Sequence, residues 1–448
     1  MTLQTAYSEA NQRYLNRTKN SEVRHKAAQQ FMPGGVTRFT TFHRPYPVTI
    51  IRAEGPELHD ADGNRYLDFI NNYGSLIHGH AHPTIVRLVQ RAVESASAVS
   101  ASIPEQMELA QLLCKRVASV EQIRFCNSGT EATMFAIRAA RAFTGKSGFI
   151  KMEGGYHGLH DAVEFSISPP LVTGERKNTL EPIPTSSGIS HNLARDIYIA
   201  PFNDTHAIEN ILLEKAQEIA AIIVEPVMGV AGIIPPLPGY LAELRRLADK
   251  YGVLLIFDEV QTLRLHPGGA QGLYHVEADL TAMAKIIGGG FPVGAFGGRA
   301  DIMSVFDPNQ PGHVSHGGTF SGNNITMTAG IASMQLLDKE AIDRLEALSS
   351  RLEKGLSHVI QKYNIPAAIT RVGSMLNVHF TKLPPIDYTT AHATSKELGT
   401  LVHLELMNYG IFASPRGTWY LSTAMADSHI DETISGFSEV MQKISRVI

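Results

Sequence analysis

The chain has 448 residues, 44% apolar and 18% charged, with 38 glycines and 23 prolines. That size exceeds one ordinary core and that composition excludes a fibrous or disordered chain, so a large α/β domain with a smaller companion is expected. Thirty-nine basic against 43 acidic residues leave a net charge of −4, with no basic excess to hold a nucleic-acid backbone. Cys114 and Cys126 sit in apolar contexts and give no disulfide framework. The opening stretch lacks the apolar core of a signal peptide and no later run reaches transmembrane length, so a soluble cytoplasmic protein without a membrane partner is expected.

Residues 1–32 are polar and helix-compatible and stop at Met32-Pro-Gly-Gly35, which predicts an N-terminal arm. Val48–Ala53 and Leu58–Asp68 read as short strands around an Asp-Gly turn. From about residue 83, helical segments alternate with apolar runs at 122–126, 148–152, 220–224, 254–257 and 282–284, the pattern of a parallel sheet covered on both faces. Residues 165–195, rich in Pro, Ser, Thr and Gly, predict a long loop. Beyond about 335 come a helix (341–363), a strand (375–380), a helix (394–408), strand-like Trp419–Ser422 and a last helix. The expected division is 1–80 for the arm and part of a small domain, 81–334 for the large domain, and 335–448 for the rest of the small domain.

Lys285 lies in the apolar setting Leu280-Thr-Ala-Met-Ala-Lys-Ile-Ile-Gly-Gly-Gly290. An ammonium there loses hydration without an evident partner, which is resolved by a shifted pKa or a covalent role. Asp258 ends the apolar run that starts at Val253, where a carboxylate can hold a pyridinium proton. A lysine for an aldehyde and a carboxylate for a ring nitrogen together suggest pyridoxal phosphate (PLP). Asn127-Ser-Gly-Thr-Glu-Ala follows a predicted strand and opens a helix, so Ser128, Gly129 and Thr130 can bind a phosphate or form an ordinary N-cap.

Gly154-Gly-Tyr-His-Gly158 follows the next strand; Tyr156 offers a flat ring to a cofactor face, and His157 assists or packs. Glu225 also ends an apolar strand, where ligands of open α/β sheets collect, and Val260 alternates to the side of Asp258 and can press on the other ring face. Gly288–Gly290 and Gly294–Gly298 do not fit dinucleotide spacing and read as turns that let the backbone approach the lysine. The groups His157, His160, Asp161 and His78, His80, His82 lack a completing ligand set, so no metal is expected.

Asn127-Ser-Gly-Thr-Glu-Ala, Gly155-Tyr-His-Gly, Val224-Glu-Pro, Phe257-Asp-Glu-Val, Lys285-Ile-Ile-Gly-Gly-Gly, Gly294-Ala-Phe-Gly-Gly and Gly318-Thr-Phe-Ser-Gly-Asn occur in that order. The series resembles the class III, fold-type I PLP aminotransferases across about residues 30–440. The likeness is greatest to the branch holding glutamate-1-semialdehyde aminomutase and the β-amino-acid (β-phenylalanine-type) aminotransferases. The resemblance implies a large, mainly parallel sheet covered by helices, with a smaller α+β domain from the N- and C-terminal segments. It implies that Lys285 carries the cofactor covalently, Asp258 pairs with the pyridine nitrogen, Ser128, Gly129 and Thr130 hold the phosphate, and Tyr156 and Val260 sandwich the ring, with His157 and Glu225 also at the cofactor. Thr319 is implied to reach the phosphate of the neighbouring subunit's cofactor, in a homodimer with shared sites.

Arg38, in Gly34-Gly-Val-Thr-Arg-Phe39, and Arg416, in Ser414-Pro-Arg-Gly417, carry guanidinium forks suited to carboxylates; each also reads as a helix cap or a surface ion pair. The resembling β-amino-acid aminotransferases have arginines in both contexts, whereas the aminomutases usually have a different late motif. The expected reaction is ping-pong transfer from a β-amino acid, aromatic as Phe39, Phe42, Tyr46 and Tyr73 suggest, to a 2-oxo acid such as 2-oxoglutarate or pyruvate. Alternatives are intramolecular aminomutase chemistry, transamination of another amine or a D-amino acid, decarboxylation or racemisation, and a non-catalytic binding protein on the same fold. Leu263–Gly269 and the 165–195 loop depart from the relatives and bear on substrate choice.

Overall fold

In the computed structural model, which describes residues 2–171 and 180–448, the apolar runs of the middle of the chain form the centre of one sheet. Its strands are β1 (Gln122–Cys126), β2 (Gly148–Met152), β3 (Ile197–Ala200), β4 (Ile219–Val224), β5 (Leu254–Asp258), β6 (Leu280–Ala284) and β7 (Gly294–Gly298), in the order β1-β7-β6-β5-β4-β2-β3. Neighbours from β3 to β6 run parallel, and β7 is antiparallel to both β6 and β1. Strands β2, β4, β5 and β6 are buried at every residue, so their sequences are apolar almost throughout rather than alternating.

Successive side chains of a strand point to opposite faces, and two cores result. Helix α1 (Gly129–Thr144) lays Ala132, Phe135, Ala136, Ala139 and Ala140 against Phe149, Ile223, Ile256 and Phe296. On the other face, the helix Tyr240–Tyr251 buries Leu241, Leu244, Leu247 and Ala248 with Ile150, Ile222, Leu255 and Phe257. Because six of the seven strands, all but β7, run in one direction, their carboxyl ends share one edge, and the loops leaving that edge carry the motif residues.

Gly294–Gly298 is a strand, not the turn expected from its glycines. A Cβ on Gly294 would lie 2.0 Å from the Ser128 carbonyl oxygen, and one on Gly298 2.1 Å from that of Asp279. The small residues let neighbouring backbones approach across an intact ladder. Gly289 and Gly290 do turn, with φ of +58° and +100°. The predicted loop at 165–195 includes 172–179, which lie outside the described residues. Its described parts contain the bridges Phe165 to Pro184 and Leu180 to Ile199 and a 3-10 turn at His191–Asp196.

The chain divides into two units: Met1–His82 with Arg344–Pro384 and Ala393–Ile448, and Pro83–Asp343 with Pro385–His392. The sheet just described belongs to the second. Residues 335–343 and 385–392, grouped on sequence with the small domain, join this unit. Leu336 packs beside Ile85, Ala329 and Ala332. The Tyr388 hydroxyl donates to the Pro169 carbonyl at 2.7 Å, and a side chain on Gly154 would strike the Tyr388 ring. The first unit has N-terminal helices Leu3–Arg17 and Lys19–Ala28, an antiparallel set Ile50–Glu54, Glu57–Asp60 and Arg65–Asp68 extended by a parallel Ile411–Phe412, and a three-stranded antiparallel sheet of Ala368–Val372, Met375–His379 and Thr418–Tyr420. No described helix is long and apolar enough to cross a membrane.

Candidate active site

Strands β4, β5 and β6 lie side by side, and Glu225, Asp258 and Lys285 stand at their carboxyl ends. Asp258 is buried and both its oxygens are engaged: Oδ2 accepts from His157 Nδ1 at 2.8 Å and Oδ1 from the Val260 amide at 3.1 Å. An ionised carboxylate has no proton to give, so His157 carries its own on Nδ1. Burial lowers the His157 pKa, with Asp258 opposing, which keeps the ring neutral; its Nε2 is buried without a hydrogen-bond partner. The His157 carbonyl accepts from Thr133 Oγ1 of α1 at 2.5 Å, fixing the residue at a second point.

Lys285 follows β6 directly and has φ of +54°, a left-handed conformation that costs a residue with a side chain about 1–2 kcal/mol. Such outliers concentrate at working sites. Its amine has no hydrogen bond or ion pair to a described residue. Desolvation lowers its pKa; Asp258 and Glu225 pull the other way, and Arg264 adds to the lowering. The outcome favours the free amine, the form that attacks a carbonyl carbon.

Glu225 is buried and spends both oxygens on backbone amides, Oε1 on Tyr156 at 2.9 Å and Oε2 on Gly229 at 3.0 Å. Burial first and the charge of Asp258 second push its pKa up to about 7, against the opposing effect of those amides. Tyr156 itself is half-buried.

Ser128 is the N-cap of α1, its Oγ accepting from the Glu131 amide at 3.1 Å. The ordinary cap reading therefore holds for its hydroxyl, leaving the first-turn amides of Gly129 and Thr130 and the positive end of a 16-residue helix for an anion. A Cβ on Gly129 would lie 3.3 Å from both Val260 methyls and 3.5 Å from that of Ala284, so the helix start, Val260 and the lysine strand come together here. Gly158, at φ +97°, presses on Thr130, where a Cβ would sit 2.6 Å from its Cα.

Two buried groups escaped the sequence reading. Glu259 alternates away from Asp258 and accepts from Thr262 Oγ1 at 2.5 Å and from the Ala270 and Gln271 amides at 2.8 and 2.9 Å, pinning the following loop. Lys151 in β2 is fully buried. The signal for both was a charged residue inside or just after an apolar strand, the same one that singles out Asp258.

Thr319 is exposed in the stretch 317–320. In the first unit, Arg38 and Arg416 are exposed and neither forms an ion pair among the described residues. Arg38 Nη1 donates to Asn72 Oδ1 at 2.8 Å. Arg416 sits on a tight turn in which its amide donates to Ser414 Oγ at 3.2 Å and the Gly417 amide to the Ser414 carbonyl at 2.9 Å. Of the four aromatic residues, Phe39 and Phe42 are exposed and Tyr73 partly so, but Tyr46 is a core residue stacked on His25 and accepting from the Tyr14 hydroxyl at its carbonyl. His78 and His80 are engaged by Thr423 Oγ1 and Asp68 Oδ2.

A buried amine with a lowered pKa, a carboxylate oriented by a histidine and an anion cradle at one sheet edge fit PLP, and the doubly covered sheet is that of the fold-type I PLP-dependent transferases. Comparison with known proteins narrows the class. The pattern described as aminotransferase class-III matches residues 40–440, and the chain belongs to that family. It is 39% identical to a glutamate-1-semialdehyde 2,1-aminomutase of Thermomicrobium roseum over 96% of this chain and 99% of that protein. Among solved structures it resembles an omega-transaminase from Sphaerobacter thermophilus, with TM-score 0.90, 38% identity, and 95% and 98% of the two chains covered. It also resembles a beta-phenylalanine aminotransferase from Variovorax paradoxus, with TM-score 0.88, 35% identity, and 99% and 98% covered. The protein is a PLP-dependent class III enzyme.

Proposed function

We propose that this enzyme moves the amino group of a β-amino acid, aromatic by preference, to a 2-oxo acid such as 2-oxoglutarate or pyruvate. Bound PLP supplies an aldehyde that captures a primary amine and a ring that accepts the electron pair released when the adjacent C–H bond breaks. Lys285 would hold the cofactor at rest and would move the proton of the donor carbon as general base and acid. Asp258, held by His157, keeps the ring nitrogen protonated. Gly129 and Thr130 amides, with the Ser128 backbone, hold the phosphate; Val260 and Tyr156 bound the ring faces, and Glu225 orients Tyr156 from behind.

Arg38 and Arg416 receive substrate carboxylates. The observation that supports transfer between two molecules is that both guanidinium groups stay exposed and free of carboxylate partners among the described residues. Thr319, on an exposed stretch, is assigned to the neighbouring subunit's cofactor phosphate in a homodimer.

A second reading, intramolecular amino transfer, is favoured by the sequence relatives, which carry the aminomutase name at about 39% identity. The deciding experiment is a donor panel of β-amino acids, other amines, D-amino acids and glutamate 1-semialdehyde, assayed with and without 2-oxoglutarate or pyruvate. Acceptor-dependent conversion of β-amino acids supports transamination; isomerisation of the semialdehyde without acceptor, with no β-amino-acid turnover, overturns it in favour of the mutase.

A further inference from the structure

Lys151 has no place in the chemistry above, yet it is a lysine with no exposed surface, in the strand next to the sheet's edge. Burying an ammonium is unfavourable unless its protons are bonded, and an aliphatic side chain would pack the same strand without that cost. Its Nζ donates to two carbonyl oxygens, Gly155 at 3.1 Å and Phe165 at 2.5 Å. The first is informative. The peptide unit joining Gly155 to Tyr156 has its C=O bonded to Lys151, while its N–H donates to Glu225 Oε1 at 2.9 Å. One peptide plane is thus gripped at both ends by buried side chains of opposite charge type. Rotation of that plane would break a buried hydrogen bond at each end, so it is opposed.

The surrounding backbone leaves little other freedom. The Gly154 amide donates to the Ser166 carbonyl at 2.8 Å, and the His157 carbonyl is held by Thr133. A Cβ on Gly155 would lie 3.0 Å from the Met152 carbonyl oxygen, so residue 155 must be small for the loop to turn back over β2. Burial lowers the Lys151 pKa to about 7, with Glu225, Glu164 and Glu153 opposing. In either protonation state the amine still donates to both carbonyls.

We infer that Lys151 and Glu225 are a pair of positioning residues that set the plane of the Gly155–Tyr156 peptide and, through it, the angle of the Tyr156 ring on the PLP face. The inference rests on the placement of Tyr156 proposed above. It does not depend on which amine is the substrate.

The test is a double-mutant cycle read in cofactor binding. Apoprotein of the parent, Lys151→Met, Tyr156→Leu and the double variant is titrated with PLP by fluorescence quenching, and the visible circular dichroism of each loaded protein is recorded. The expected result is an increase in PLP Kd of about tenfold for each single variant, with the double variant within about twofold of Tyr156→Leu, because Lys151 acts through Tyr156. Lys151→Met should also alter the visible dichroic band as Tyr156→Leu does, which a loss of stability alone would not do. A Kd for Lys151→Met within twofold of the parent, or strictly multiplicative effects, would overturn the clamp while leaving Tyr156 at the ring. An unchanged Kd in Tyr156→Leu would instead remove the ring placement itself, and the clamp with it. Should Lys151→Met fail to fold, Glu225→Gln takes its place in the cycle, since a carboxamide can accept from the Tyr156 or the Gly229 amide but not from both through oxygen. Multiplicative behaviour there counts equally against the proposal.

Discussion

The carboxyl edge of the seven-stranded sheet and the arginine-bearing loops of the other unit treat charge in opposite ways. At the edge, Asp258 and Glu225 are buried with every carboxylate oxygen engaged, by His157 and Val260 in one case and by Tyr156 and Gly229 in the other. Arg38 and Arg416 are exposed and free of ion pairs among the described residues. A cofactor that stays in place through every turnover rewards preorganised dipoles that need no rearrangement. A carboxylate that arrives and leaves is better met by a group whose partner position is open.

The sharpest way to break the contrast is at Lys285. Lys285→Ala should reduce turnover by about 10³-fold or more, with an unchanged far-ultraviolet circular dichroism spectrum. Substantial activity in that variant would detach the edge from the chemistry altogether. Next in size, Arg416→Ala and Arg38→Ala should each raise KM for a carboxylate-bearing donor or acceptor by roughly 10- to 100-fold, while kcat for an amine without a carboxylate changes little. Steady-state kinetics on matched donors reads this; an equal loss on both kinds of donor means that the arginines serve the fold.

Gly294→Ala sharpens the other half. Its Cβ would meet the Ser128 carbonyl oxygen at 2.0 Å, so the cradle must move; a destabilisation of about 1–3 kcal/mol by chemical denaturation, with weaker PLP binding, is expected. Unchanged PLP affinity would mean that the loop tolerates displacement and that its position is not set by the Gly294 contact.

The smallest effect is a pH slope. Burial and the charge of Asp258 raise Glu225 from 4.5 to about 7 in the folded apoprotein, so the native state holds the proton more tightly than the unfolded chain. That contribution is fully present below about pH 4.5 and is lost as pH rises through about 7. Glu225→Gln should flatten the decline in unfolding free energy across this window; an identical slope in the variant would assign the dependence to other groups.

Much of the edge is legible in the amino-acid order because a charged residue closing an apolar strand has few bland explanations. Asp258, Glu225 and Lys285 all meet that description, and the parallel strands carry them to one side. Ser128 to Thr130 are legible as a helix start. Gly294–Gly298 is misread because glycine speaks for turns locally, whereas the reason for these glycines lies across the sheet, in the Ser128 and Asp279 carbonyls. Lys151 carries the same local signal as Asp258, but its role does not show in the amino-acid order, because its acceptors at Gly155 and Phe165 are brought to it only when the loop folds back. Tyr46 is placed at a substrate mouth by its chemistry and found in a core because two N-terminal helices cover it, with Tyr14 and His25 as neighbours. Residues 335–343 and 385–392 change unit because their contacts, among them those of Leu336, Leu337, Ile386 and Tyr388, lie with the large sheet's unit rather than with their neighbours in the chain.

The left-handed backbone at position 285 carries one more implication. Glycine would occupy that geometry with less conformational penalty, so a chain optimised solely for durability would discard the lysine. Retaining it leaves a local weak point in the empty protein, which ligand binding can offset by mass action, so thermal resistance and cofactor occupancy should rise and fall together in this enzyme.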